Sequence, residues 1–163
     1  TVQQRLQALD KEELEESDFT IKNAVQFVRK LRKADVCCYL ASGTDEEHVR
    51  AEAQAMGYAD LFDGGIFGSI GDIEHDAKEV VLERIVAQIG DPTGRLVTFG
   101  DGPVEIRETQ TRGGMAVGVA SDEVRRFGLN PSKRSRLIKA GAHLIIPDFS
   151  QMNALLQHLG IVT

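Results

Sequence analysis

Residues Leu96-Val97-Thr98-Phe99-Gly100-Asp101-Gly102-Pro103-Val104-Glu105-Ile106 constrain the fold more than any other stretch of the chain. An apolar, partly β-branched run stops at a glycine, an acid follows at once, and Gly-Pro opens a helix. A strand buried on both faces with a carboxylate at its C-terminal tip is how an open parallel sheet presents a site. Proline suits the first helical position, where its missing N–H costs nothing, so Asp101 falls in the turn above the sheet.

The rest of the chain repeats this rhythm. Strands are expected at Val36–Ala41, Ile66–Phe67, Leu96–Phe99, Met115–Ala120 and His143–Ile146. Helices are expected from a Ser17/Asp18 cap through the stripe Ile21, Ala24, Val25, Val28 and Leu31, and from a Thr44/Glu47 capping box to Met56. Further helices follow at Asp76–Ile89, Pro103–Thr109, Ser132–Ala140 and Ser150–Leu159. Residues 1–16 carry only a narrow apolar stripe and read as a peripheral helix; residues 17–163 read as one core domain. Alternation of this kind defines an α/β class, a Rossmann-like three-layer sandwich with a mainly parallel sheet.

Composition excludes several functions. The 163 residues carry a net charge of −6, which argues against a nucleic-acid or anionic-membrane surface. No apolar run reaches the ~18 residues of a membrane span. Adjacent Cys37 and Cys38 read as buried free thiols in a reducing compartment, the cytoplasm.

Three strand-to-helix junctions carry the chemistry. Ser42-Gly43-Thr44 offers a hydroxyl, a glycine permitting close backbone approach, and the amides of a helix start, a combination that holds a phosphate or other oxyanion. A turn hydroxyl and a helix cap are the plain alternatives for Ser42 and Thr44. Lys78 sits in a first helical turn, where a cation opposes the macrodipole. Asp101, with Glu105 four residues on, suits a hard cation such as Mg²⁺, which takes few protein oxygens and keeps its waters. Read instead as a dinucleotide fingerprint, Gly100 to Glu105 is a residue short and has Glu105 where close helix packing wants glycine, although Asp122 follows at about the right distance. Asp148 reads as a cap for the next helix, His48 and His75 as surface residues. The basic stretch Arg125, Arg126, Lys133, Arg134, Arg136 and Lys139 reads as a solvated face, with contact to an acidic leaving group the lesser reading.

In order, these junctions resemble the haloacid dehalogenase superfamily of phosphohydrolases. Val36–Ser42 is similar to its second motif, Lys78 to its third, and Gly100-Asp101 with Glu105 to its fourth. The flanks Gly57–Gly68, Gly114–Val119 and Ala140–Pro147 match as well, so the resemblance covers about Phe19 to Leu159. It implies that Ser42 and Gly43 hold a transferring phosphoryl group, that Lys78 offsets its charge, and that Asp101 and Glu105 bind Mg²⁺. It further implies a small phosphate monoester as substrate, hydrolysed through an aspartyl-phosphate. The family's first motif, an Asp-x-Asp that supplies nucleophile and general acid, has no match, and no Asp-x-Asp occurs in the chain. The expectation is therefore a core portion lacking the central first-motif strand and inactive alone, within a longer enzyme. Residues 1–16 would be the remnant of its cap. A non-catalytic phosphate-binding or regulatory module is the alternative. The incomplete sheet leads to a structural expectation: either Val36–Ala41 pairs directly with Leu96–Phe99, or association with another chain fills the gap.

Overall fold

The computed structural model describes residues 20–71 and 77–161. Its elements are α1 (Ala24–Lys33), β1 (Tyr39–Asp45), α2 (Glu46–Ala55), β2 (Gly65–Ser69), α3 (Ala77–Ile89), β3 (Val97–Gly100), α4 (Pro103–Thr111), β4 (Met115–Val119), α5 (Pro131–Lys139), β5 (Leu144–Ile146) and α6 (Met152–His158). The expected α/β alternation with parallel strands is present in the described residues. The chain forms two compact units, residues 1–75 with 149–163 and residues 76–148. No described helix is long and apolar enough to cross a membrane.

In the first unit, β1 pairs in parallel with β2, Leu40 opposite Ile66 and Ala41 opposite Phe67. The next aligned pair is Asp45 with Ser69, so four residue steps of β1 oppose two of β2. Ser42-Gly43-Thr44 lie opposite the single residue Gly68. The expected turn is thus a bulge inside a strand, the kind of irregularity that re-aims side chains at strand ends. The helix that follows is capped by Asp45, whose Oδ1 accepts from the N–H groups of Glu47 and His48, and not by Thr44. An aspartate one residue later takes the Glu47 amide that a Thr44 cap would need. Glu46 and Arg50 then satisfy β2 groups, Glu46 accepting from the Gly68 N–H and Arg50 donating to the Ile66 carbonyl.

Helix α1 starts at Ala24, behind Asn23 in the left-handed conformation (φ 62°), and buries Val25, Phe27 and Leu31. Phe27 was absent from the expected stripe. It stacks on Phe149 at 4.9 Å, a contact across the sequence that helical periodicity does not encode. Ser17 and Asp18 lie outside the described residues, as do residues 1–16, Asp76 and His75. Arg32, in the last turn of α1, reaches the Val36 carbonyl and Asp63. Asp63 in turn accepts from the Cys38 N–H, and this bond chiefly holds its carboxyl below the usual range. Residues 36–38 make no ladder, so the strand begins later than expected. Cys38 is buried and Cys37 exposed, because an unladdered segment need hide only one of its faces. Burial pushes the Cys38 thiol up to about 11.

In the second unit β4 lies between β3 and β5, all parallel, with Gly100 opposite Gly118 and Val119 opposite Ile146. β4 is central, and Ala116, Val117 and Val119 are buried. Ile106 of α4 and Leu137 of α5 are fully buried against Ala116, Ala120 and Ala140. β1 pairs with β2 and β3 with β4, in two separate sheets, so the direct pairing of Val36–Ala41 with Leu96–Phe99 is not formed. Among the described residues β1 and β3 each pair along one edge only, and residues 36–38 form no ladder at all.

Two outcomes follow from this packing. A Cβ on Gly68 would lie 2.5 Å from the Glu46 Cα and 2.6 Å from the Thr44 carbonyl oxygen, both backbone. Gly68→Ala should therefore lower stability by about 1–3 kcal/mol in urea unfolding; an unchanged midpoint would contradict the close approach. In native protein at pH 8, iodoacetamide should label Cys37 and spare Cys38, with Cys38 reacting only after denaturation.

Candidate functional site

The C-terminal tip of β3 gathers charge from three helices of the second unit. Gly102 precedes Pro103 at the head of α4, and Glu105 turns back so that its Oε1 accepts from the Gly102 N–H at 2.9 Å. This is one half of a capping box, since glycine has no side chain to return the bond. The same carboxylate meets Lys78 Nζ at 3.1 and 3.2 Å. Lys78 is the second residue of α3, so a cation disfavoured by its own helix is held by a carboxylate from the next. Gly100 and Gly102 leave room for this. A Cβ at Gly100 would collide with the Glu105 side chain, and one at Gly102 would come within 3.2 Å of Lys78 Nζ.

Asp101 projects from the same turn with a 56% exposed side chain. Its Oδ2 lies 3.7 Å from Lys133 Nζ, and Lys133 also meets Glu123 Oε1 at 3.2 Å. Lys133 stands in the first turn of α5, behind Asn130, whose side chain caps the helix. Its side chain is only 3% exposed. The expected solvated face therefore fails at this residue: the first turn of α5 packs toward the tip of β3, and the lysine stem is covered on the way. The sequence carried the signal, a lysine against the macrodipole in a first turn, in the same form as at Lys78.

The segment between β4 and α5 borders this tip. Asp122 accepts from the N–H groups of Val124 and Arg125, which holds its carboxyl below the usual range, Arg125 first. The Asp122 N–H donates to the Gly128 carbonyl. Asp148 is buried and accepts from the Gly128 N–H at 2.9 Å. It therefore fastens this loop and does not cap α6, whose N-cap is Gln151. His143 Nδ1 accepts from the Ala116 N–H, and His48 is exposed.

Ser42 lies in the β1 bulge of the first unit, half-buried, with its Oγ accepting from the Thr44 N–H at 3.1 Å. Gly43 follows inside the same bulge. The structure brings Lys78, Glu105, Asp101 and Lys133 to one tip, while Ser42 and Gly43 belong to the other unit.

These residues can be tested against a hard cation. Among the described residues no three His, Cys, Asp or Glu side chains cluster to hold a metal ion. Asp101 fits as one oxygen ligand, exposed and at a strand tip, whereas the Glu105 carboxylate is taken by the Gly102 N–H and Lys78.

Parallel strands carrying an acid at one tip, with lysines converging from helix starts, are the site-bearing end of an open α/β fold. A family model of the haloacid dehalogenase-like hydrolases matches residues 1–108, and the chain belongs to that family. No curated protein matched in the sequence comparison. Among solved structures, a HAD family hydrolase from Deinococcus radiodurans with bound phosphate and sodium aligns with a TM-score of 0.71 and 18% identity over 88% of this chain and 61% of its own. A haloacid dehalogenase-like protein from Agrobacterium tumefaciens aligns at 0.68 and 19%, covering 86% and 61%. A predicted phosphatase from Clostridium acetobutylicum aligns at 0.68 and 17%, covering 83% and 59%. The chain spans about three fifths of the length of these structures, and at these identities the likeness is one of fold.

The double use of Glu105 gives a test of the site's architecture. Glu105→Gln keeps an acceptor for the Gly102 N–H and loses only a part-exposed ion pair, so it should cost under about 1 kcal/mol. Glu105→Ala loses both and should cost roughly 1 kcal/mol more in thermal or urea unfolding. Equal losses would show that the cap is not made.

Proposed function

We propose that this chain is the core portion of a Mg²⁺-dependent phosphohydrolase acting on a small phosphate monoester. The observation that carries the reading is the convergence of Asp101, Lys78 and Glu105 on the tip of β3 in a chain of the haloacid dehalogenase-like family. Each residue has a task it can perform from where it stands. Lys78 offsets negative charge of a bound phosphoryl group, and Glu105 keeps its ammonium at the tip. Asp101 offers a carboxylate oxygen to Mg²⁺, which when bound would neutralise charge on the transferring group. Ser42 and the Gly43 amide take the phosphoryl-holding role that the family resemblance implies for them. The gain is electrostatic and positional.

The nucleophile is a separate matter. Positioning groups cannot replace an aspartate that forms the covalent intermediate, and the chain contains no Asp-x-Asp. The activity therefore belongs to a longer polypeptide of which this is part, and this chain alone should bind without turning over. A cytoplasmic setting and association through the open sheet belong to the same reading. The dinucleotide alternative is disfavoured because Glu105 already occupies the Gly102 N–H, the amide a pyrophosphate would need.

Phosphatase assays with a panel of monoesters and Mg²⁺ test the proposal, run on this chain and on a version extended upstream. The extended protein should turn over with metal, and Lys78→Met or Asp101→Asn should each cut kcat/KM by about 10²–10³. Binding without turnover in the extended protein would favour the non-catalytic module.

A further inference from the structure

Lys133 is placed against two physical preferences at once. It is a lysine with a 3% exposed side chain, and it sits in the first turn of α5, where the helix dipole repels a cation. Two carboxylates face its ammonium from different segments, Glu123 at 3.2 Å and Asp101 at 3.7 Å. Both are far more exposed than the lysine itself, 72% and 56%. So deeply covered a side chain is not free to leave for a substrate; it acts through the groups it holds.

The charges around the tip show what it would act on. Asp101, Glu105, Glu123 and Asp122 are negative and Lys78, Lys133 and Arg125, which pairs with Asp122, positive, a net of one negative charge. Without Lys133 the net would be two negative charges, suited to gathering cations and repelling a phosphate. We propose that Lys133 is a positioning residue that holds Asp101 and sets the charge of the β3 tip, weakening its grip on divalent cations and strengthening its grip on phosphate. The inference rests on the reading of Asp101 as a cation ligand and goes beyond it, assigning a role to a residue that does not itself meet metal or substrate.

The sign of the effects separates this role from a merely structural one. A structural lysine, once lost, weakens every ligand together; a charge-setting lysine moves cation and anion affinities in opposite directions. Binding of Mn²⁺ alone (free-ion electron paramagnetic resonance) and of inorganic phosphate alone (³¹P nuclear magnetic resonance) should be measured at low salt. Wild type, Lys133→Met, Lys133→Arg, Glu123→Gln and Asp101→Asn are compared. Lys133→Met should tighten Mn²⁺ and weaken phosphate, each by about fivefold. Lys133→Arg should stay within about twofold of wild type, since it keeps the charge. Glu123→Gln, at an exposed position, should shift both affinities the opposite way to Lys133→Met, and it decides the matter should Lys133→Met not fold. If Asp101→Asn abolishes Mn²⁺ binding while the Lys133 and Glu123 variants move both ligands in the same direction, or neither, the Lys133 role is overturned and the Asp101 reading stands. If Asp101→Asn binds Mn²⁺ as wild type does, or wild type binds none, the Asp101 reading fails and the inference with it.

Discussion

One carboxylate, that of Glu105, fixes the geometry on which the β3 tip depends. It closes the first turn of α4 by accepting from the Gly102 N–H at Oε1 and, with both oxygens, holds Lys78 from the start of α3. The cap stabilises the helix start whatever else happens there. The ion pair adds little to stability, being part-exposed, but it decides where a cation stands. Local helix chemistry and site electrostatics are thus the same interaction, and the two small residues flanking Asp101 are what allow it to form.

The three-stranded parallel sheet supplies the rest. Because Gly100 is aligned with Gly118, the segments that leave β3 and β4 emerge at one level, and the helix starts lie at that end of the strands. Lys78, the Asp101–Glu105 turn and Lys133 are far apart in sequence yet meet there. The core beneath, Ile106 and Leu137 against the small residues of β4, keeps α4 and α5 close enough for their first turns to share the tip.

Much of this was legible from the residues. The strand–Gly–Asp–Gly–Pro pattern placed Asp101 at a tip and α4 behind it, and the alternation of elements specified parallel strands. What failed did so for identifiable reasons. The Ser42-Gly43-Thr44 bulge depends on the count of residues in β2, which β1 alone does not reveal. Phe27 is buried by a partner, Phe149, remote in sequence. Asp148 fastens Gly128 and not a helix start, because the loop between β4 and α5 folds back onto it. Lys133 stands among basic neighbours in the sequence, although its place in a first turn sets it apart as clearly as it does Lys78.

Anomalous diffraction from crystals of the protein grown with Mn²⁺ and phosphate tests the central claim most directly, because it locates the ion rather than inferring it. The account requires manganese density at the Asp101 carboxylate, with Glu105 still bonded to Gly102 and Lys78. Manganese bound at Glu105 with Lys78 displaced, or bound away from this turn altogether, would contradict it.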